Sequence, residues 1–341
     1  MSITSPSRLD RSSSTAAAIE AEHLVKRFGD VTAVDDVSFA VPQGTVLGLL
    51  GPNGAGKTTI VRMMTTLTRP TSGTARVAGH DVMREPDAVR RGMGLTGQVA
   101  TVDELLTGRE NLRLVGTLYG LSRSDIARRS AELLEQFSLA DAGDRIIKTY
   151  SGGMRRRLDL AVSLIAAPPV LFLDEPTTGL DPRSRVELWD VLRNLVGDGT
   201  TLLLTTQYLE EADHLADRIV VIDHGRIIAE GTPLELKDQS GRASIVVTVS
   251  EAHQLDAARA LLSAHVSGVH VDEAARQLTA PAEGLGDMMR VAAVFQDADI
   301  VLDDLGLQRP SLDDVFLHLT GHRAEPSTDE GSTDLPAKEP R

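Results

Sequence analysis

The residues with the most chemical content form a glycine-rich run that ends in a lysine and two threonines. It reads Gly51, Pro52, Asn53, Gly54, Ala55, Gly56, Lys57, Thr58, Thr59. The apolar stretch Val46–Leu50 precedes it, and a helical pattern over Thr58–Thr66 follows. Glycines let a loop wrap closely enough for backbone N–H groups to face phosphate oxygens, and a helix N-terminus adds partial positive charge there. Lys57 supplies a compact charge for the β- and γ-phosphates, and the Thr58 hydroxyl can ligate Mg²⁺. This context predicts a nucleotide phosphate site in place of an ordinary glycine-rich turn.

A second group is Val170-Leu-Phe-Leu-Asp174-Glu175. An apolar strand that ends in two carboxylates sets them at the C-terminal edge of a sheet, beside a phosphate loop. Asp174 can hold Mg²⁺ through water, and Glu175 can polarise an attacking water as general base. Alone, an acidic pair after a strand reads as a solvated strand end. Beside the run at 51–59 it reads as catalytic. Two further segments lie close by in sequence, Tyr150-Ser151-Gly152-Gly153-Met154 and Thr177-Thr178-Gly179-Leu180-Asp181.

The elements that must position these groups follow from composition and pattern. The chain has 341 residues, enough for a large domain and a smaller one. Hydrophobic residues make up 41% and aromatics only 3%, so the core is aliphatic. A net charge of −14 repels phosphate backbones, which argues against nucleic acid as the main ligand. With no cysteine, disulfides, cysteine-based zinc sites and thiol catalysis are excluded. The nine histidines show no HxxxH or HxH spacing, so no zinc site is expected. His23, His224 and His318 read as surface or packing residues. The run Leu160–Leu173 is broken by Ser163 and Pro168–Pro169, too short to span a bilayer. The N-terminus has no apolar segment of signal-peptide type, so a cytosolic chain is expected.

Residues 1–18 are Ser-rich and 321–341 polar with prolines, and both read as disordered tails. From 19 to 240 short β-branched runs alternate with helical stretches. Thr45–Leu50, Val170–Leu173, Thr201–Thr205 and Arg218–Ile222 are strand candidates. Their continuous apolar character suits a mainly parallel sheet covered on both faces, an α/β fold. Arg109–Phe137 has helical pattern only, within a helical subdomain at about 99–167. From 241 to 320 the order is strand (Ser244–Val249), helix (Leu255–Ala264), strands (Gly268–Val271 and Arg276–Thr279), helix (Gly286–Phe295), strand (Ile300–Leu305). That order predicts a small α+β, ferredoxin-like domain, closed by a helix at Asp313–Leu319. Leu312, Val315, Phe316 and Leu319 share one helix face, either packed on their own domain or offered to a partner.

With these motifs in this order, including a lone Gln98 between the phosphate loop and Ser151, residues 19–240 resemble the ATP-binding-cassette (ABC) family. The Ser151–Gly153 signature separates that family from other phosphate-loop ATPases. The resemblance implies ATP and Mg²⁺ as ligands and a head-to-tail dimer of this chain. In it Ser151, Gly152 and Gly153 of one copy close over ATP held by the other. The N-cap of a helix is the plainer role for Ser151, and both can hold at once. Phe28 falls where the family stacks a ring on adenine, against the plainer reading of a core Phe. Gln98 falls where the family contacts Mg²⁺ and water, and Asp181 ends the turn after the carboxylates. Arg155–Arg157 read as a solvated helix face, and Glu210, Glu211 and Asp213 as acids suited to a helix's first turns.

The chain departs from the wider family at Gln207, where most members carry His. A Gln amide can donate to a γ-phosphate oxygen but cannot carry charge or pass a proton, which leaves Glu175 as the base. Thr205–Asp213, Ile222-Asp-His-Gly-Arg226 and Pro310–Leu317 resemble the daunorubicin-resistance-type subfamily, where Gln at this place is usual. That resemblance implies an ATPase subunit of a drug or lipid exporter, working through a separate ABC-2-type membrane permease. It would sit at the cytoplasmic face of the membrane, touching the hydrophobic cargo only through the permease. A soluble ATPase with a ribosomal or DNA client, and a non-hydrolysing regulator, are the competing readings. The single cassette and the acidity weigh against the first, and Glu175 against the second.

Overall fold

The structure, a computed structural model, describes residues 17–97, 101–240, 243–298 and 300–320. The chain divides into two compact units between Glu230 and Gly231. The first opens with β1 (Ala17–Phe28), β2 (Val31–Pro42) and β3 (Val46–Leu50). The glycine-rich run leads from β3 into α1 (Lys57–Met64), followed by β4 (Ser72–Val77), β5 (His80–Asp81), α2 (Pro86–Arg91) and β6 (Met93–Thr96). Three helices come next, α3 (Gly108–Leu118), α4 (Arg123–Gln136) and α5 (Gly152–Ser163). Strand and helix then alternate through β7 (Val170–Asp174), α6 (Pro182–Gly197), β8 (Thr201–Thr206), α7 (Leu209–Leu215), β9 (Arg218–Asp223) and β10 (Arg226–Gly231).

Six strands form one sheet in the order β10-β9-β3-β8-β7-β6, with β9, β3, β8, β7 and β6 parallel. Every residue of β3, β7 and β8 is buried, as a sheet covered on both faces requires. The four strand candidates of the sequence are β3, β7, β8 and β9 of this sheet. Pattern did not reveal the second sheet, antiparallel in the order β2-β1-β4-β5. Its long strands carry register shifts, with His23 and Asp36 at positive φ, and such bulges break the two-residue period. The expected N-terminal tail also ends earlier than residue 18, because Ala17 and Ala18 already belong to β1. Ile19, Leu24, Val34 and Val37 share one apolar cluster with Leu49, Met63, Phe172 and Leu203, which joins the two sheets. At the other side α5 packs against β6, α3 and α4. A capping box between Thr107 and Glu110 starts α3.

The second unit contains α8 (Pro233–Ser240), β11 (Ala243–Val249), α9 (Leu255–Ser263), β12 (His270–Asp272), β13 (Gln277–Ala282), α10 (Leu285–Asp297), β14 (Leu302–Gln308) and α11 (Leu312–Thr320). Its antiparallel sheet has the order β12-β13-β11-β14, the ferredoxin-like arrangement. Ile245, Val247, Leu278 and Ala280 of the sheet pack with Leu262 of α9 and Phe295 of α10. The helix α11 lies along α8, with Leu236, Leu312, Val315 and Phe316 all buried. The apolar face of α11 is therefore occupied within this chain. The Leu319 and His318 side chains lie outside the described ones. Because a buried phenyl ring leaves a cavity when removed, Phe316→Ala should cost about 3 kcal/mol of stability. Urea unfolding followed by circular dichroism checks this, and an unchanged midpoint would mean that α11 is dispensable to the fold.

Candidate functional site

The glycine-rich loop is held tightly by its surroundings. A Cβ on Gly51 would lie 2.2 Å from the Ile222 carbonyl oxygen, and one on Gly56 2.5 Å from that of Ala33. Gly56 has φ of 108° and caps α1 with no side-chain hydrogen bond, so the first N–H groups of the helix are left for a ligand. Ala55 is buried and accepts from Gly225 N–H at 3.0 Å, while Asn53 and Gly54 are exposed at the loop's tip. Lys57 is buried, its Nζ donating to the carbonyls of Gly51 at 2.7 Å and Pro52 at 3.1 Å. Burial pulls its pKa below the usual lysine value, and the carboxylates of Glu175 and Asp174 oppose that pull. Thr59 is half-buried one position beyond Thr58.

Register brings the carboxylates to this loop. Leu50 pairs with Thr206 across β3 and β8, and Thr205 pairs with Asp174 across β8 and β7. Gly51, Gln207 and Glu175 therefore leave the sheet at the same edge. Asp174 is buried, and its Oδ1 accepts from Thr205 at 2.5 Å and from Thr58 at 3.3 Å. The Thr58 hydroxyl and the Asp174 carboxylate are convergent hard oxygen donors, the chemistry that Mg²⁺ takes, so the residues present fit that ion. Glu175 is half-buried with φ of 52°, and its N–H donates to Thr205 O at 3.1 Å. Gln207 is half-buried in the turn between β8 and α7.

The remaining predicted residues are placed more openly. Ser151 is the exposed N-cap of α5 and accepts from Met154 N–H. A Cβ on Gly152 would meet nothing within 4 Å, and Gly153 continues the helix. Asp181 caps α6, accepting from Ser184 N–H at 2.9 Å and from its hydroxyl. The Ser184 N–H, more than the hydroxyl, holds the Asp181 carboxyl below its ordinary pKa. Phe28 is 52% exposed at the end of β1, with the Lys26 ammonium over one ring face, so it is no core residue. Gln98 lies outside the described residues.

An ABC transporter family profile matches residues 34–178. Over 305 residues the chain is 56% identical to the daunorubicin resistance ATP-binding protein DrrA3 of Streptomyces coeruleorubidus, covering 89% of this chain and 96% of that one. With the daunorubicin/doxorubicin resistance ATP-binding protein DrrA of Streptomyces peucetius it shares 52% over 323 residues, covering 94% and 97%. The solved structure of an ATP-binding subunit of an ABC transporter superposes with a TM-score of 0.60 at 30% identity, over 65% of this chain and 92% of that one. This chain belongs to the ABC transporter family. It is an ABC ATPase.

Two charged residues of this ABC ATPase are not where the charge runs suggest. Arg155–Arg157 do not make a solvated face, because α5 is wedged against β6 and its helical neighbours. Arg156 is buried, while Arg155 and Arg157 are partly covered and face Glu104 at 2.7 Å and Glu187 at 3.4 Å. Glu211 is no surface acid of a first helical turn either, for it is 0% exposed. Thr206, Thr177 and Trp189 turn polar atoms toward it without reaching hydrogen-bond geometry. Burial pushes its pKa up to about 7, against those groups and the Arg156 charge. Glu210 and Asp213 keep the plainer reading at or near the solvent-exposed start of α7. A signal existed in both cases. Asp159 is a lone acid in the apolar run Leu158–Leu160, three residues after Arg156, and Glu211 shares a helical face with Tyr208 and Leu215.

Glu211 gives the ATPase a defined pH dependence of stability. Its folded pKa of about 7 lies above the ordinary 4.5, so folding favours the protonated form. Its contribution is complete below pH 4.5 and is lost as pH rises through 7. Between those limits the loss is about 3 kcal/mol. Glu211→Gln keeps the shape without titrating, so its urea midpoint should fall less than that of the native chain from about pH 5 to about pH 8. Parallel curves for the two chains would refute the assignment.

Proposed function

We propose that this chain is the ATP-hydrolysing subunit of an exporter that moves a hydrophobic drug or envelope lipid through a separate, ABC-2-type membrane permease. The observation that carries the reading is similarity over nearly the whole chain to daunorubicin-resistance ATP-binding proteins. The phosphate loop and carboxylate pair at one sheet edge support the hydrolytic chemistry. Among the described residues no helix is long and apolar enough to cross a membrane, and the reading assigns the membrane path to the permease. The chain would be held by it at the cytoplasmic face.

In this reading two copies pack head to tail, so that Ser151–Gly153 of one covers the nucleotide on the phosphate loop of the other. The exposed N-cap and the open space at Gly152 suit a phosphate brought by a second copy. Adenine stacks on the free face of Phe28. Backbone N–H groups of Gly54 and of Gly56 to Thr59 take the phosphate oxygens, and Lys57 exchanges its loop carbonyls for the β- and γ-phosphates. Thr58, Asp174 and Gln98 would hold Mg²⁺, which when bound neutralises charge on the phosphate oxygens. Glu175 accepts a proton from the attacking water, and the Gln207 amide donates to a γ-phosphate oxygen. Asp181, as cap of α6, fixes the turn that follows the carboxylates.

The test is ATP hydrolysis by membranes that hold the chain with its permease, by the chain alone, and by Glu175→Gln. The expected result is activity that depends on the permease and falls at least ~100-fold in Glu175→Gln with ATP affinity retained. Gln207→Ala should lose only about tenfold, one hydrogen bond to a charged group. The rate should also show no titration attributable to an imidazole near pH ~6.5. Intact hydrolysis in Glu175→Gln with loss in Gln207→Ala would reverse their roles. Equal activity without any membrane would point to a cytosolic client.

A further inference from the structure

Arg156 stands apart from the rest of the ATPase machinery. It sits on α5, five residues after Ser151, and its guanidinium is turned away from solvent. Nε donates to Pro176 O at 2.8 Å, and one terminal nitrogen to both Asp174 O at 3.2 Å and Glu175 O at 2.9 Å. The other donates to Gly97 O at 2.5 Å. Three consecutive carbonyls thus converge on one side chain, and the middle one belongs to the residue proposed as general base. One helical turn on, Asp159 faces the same guanidinium at 3.8 Å, and its other oxygen accepts from Thr101 N–H and Oγ1 at 2.7 Å.

The backbone at this point needs such a partner. Glu175 has φ of 52°, which L side chains rarely adopt, and a conformation of that kind persists only where the surroundings over-determine it. On one side the Glu175 N–H is fixed by β8 through Thr205. On the other, its carbonyl and those of both neighbours are fixed by Arg156. A lysine cannot replace this fork, since three donors on one atom cannot reach carbonyls arrayed around a plane.

We propose that Arg156 is a positioning residue that joins the signature helix to the backbone of Glu175, so that engagement of Ser151 by ATP on the partner copy sets the hydrolytic carboxylate of its own copy. This rests on the head-to-tail reading above. The link is a single side chain that spans α5 and the β7 edge, so displacement of the α5 N-terminus moves the Asp174–Pro176 carbonyls with it.

The experiment is a double-mutant cycle in membranes that hold the chain with its permease, with ATP affinity measured alongside single-turnover hydrolysis. Arg156→Lys in the native background should lower kcat at least tenfold with ATP affinity changed less than threefold. In the Glu175→Gln background the same change should cost less than twofold, because a residue acting through Glu175 has nothing left to position. Equal losses in both backgrounds, or a loss of affinity matching the loss of rate, would overturn the proposal in favour of a merely structural role. Arg156→Gln, which keeps two planar donors, should recover part of the lysine variant's loss, and no recovery counts against the proposal. If Glu175→Gln alone hydrolyses ATP at the native rate, the reading of Glu175 as base fails, which the cycle reports separately from Arg156.

Discussion

The register of three parallel strands is the constraint from which the site follows. With β8 between β3 and β7, Leu50 opposite Thr206 and Asp174 opposite Thr205, the chain has no freedom in where it releases the next residues. Gly51 must start its loop beside Gln207 and Glu175. A one-residue slip of β7 would turn the Asp174 side chain to the other face of the sheet, away from Thr205 and Thr58. Continuous burial along β3, β7 and β8 makes that slip costly in core packing, so the apolar strands that stabilise the unit also align its chemistry.

Behind that edge the protein keeps charge in its interior. Arg156, Asp159 and Glu211 are almost fully removed from water, and an ion buried this way rarely stabilises a fold better than an apolar residue would. What these groups do provide is direction. Arg156 gathers carbonyls that turn away from the ordinary β-strand path at a left-handed residue, and Asp159 ties Thr101 to the same helix. Glu211 lies near Thr206, next to Gln207 in sequence, and Thr177, two residues after Glu175. A hydrophobic interior would pack as well but would remove the shared donor of the Asp174, Glu175 and Pro176 carbonyls.

The parts of this picture legible in sequence are those whose chemistry forces a local pattern. A phosphate loop needs an apolar strand before it, glycines within it and a helix after it, and all three lie within Val46–Thr66. The βαββαβ order of the second unit is legible because short alternating strands and amphipathic helices succeed one another without bulges in their middles. The sheet of β1, β2, β4 and β5 is not, since bulges break the periodicity of β1 and β2, and β1 pairs with β4 from across β3 and α1. Nor are Arg156 and Glu211, because runs of like charge are usually solvated. Only the lone Asp159, or an acid on the face of Leu215, hints otherwise. The division of the chain at 230, earlier than the composition change near 240, reflects packing of α8 on α11 that no local pattern encodes.

In the proposed function, the segment Ser151–Gly153 serves fold and ligand together. Ser151 caps α5 by accepting from Met154 N–H with a hydroxyl lone pair, which uses none of its donor capacity. Its proton stays free, and the N–H groups of Gly152 and Gly153, as first residues of the helix, have no intrahelical acceptor. Glycine at 152 leaves that end of the helix open to an approaching group. Capping therefore leaves donors free for the anion that the proposed function brings here: the serine that starts the helix also holds a donor at its mouth. The same helix carries Arg156 little more than one turn further in. In the N-terminal half of α5, the demands of the fold and those of the proposed chemistry are met by different atoms of the same few residues.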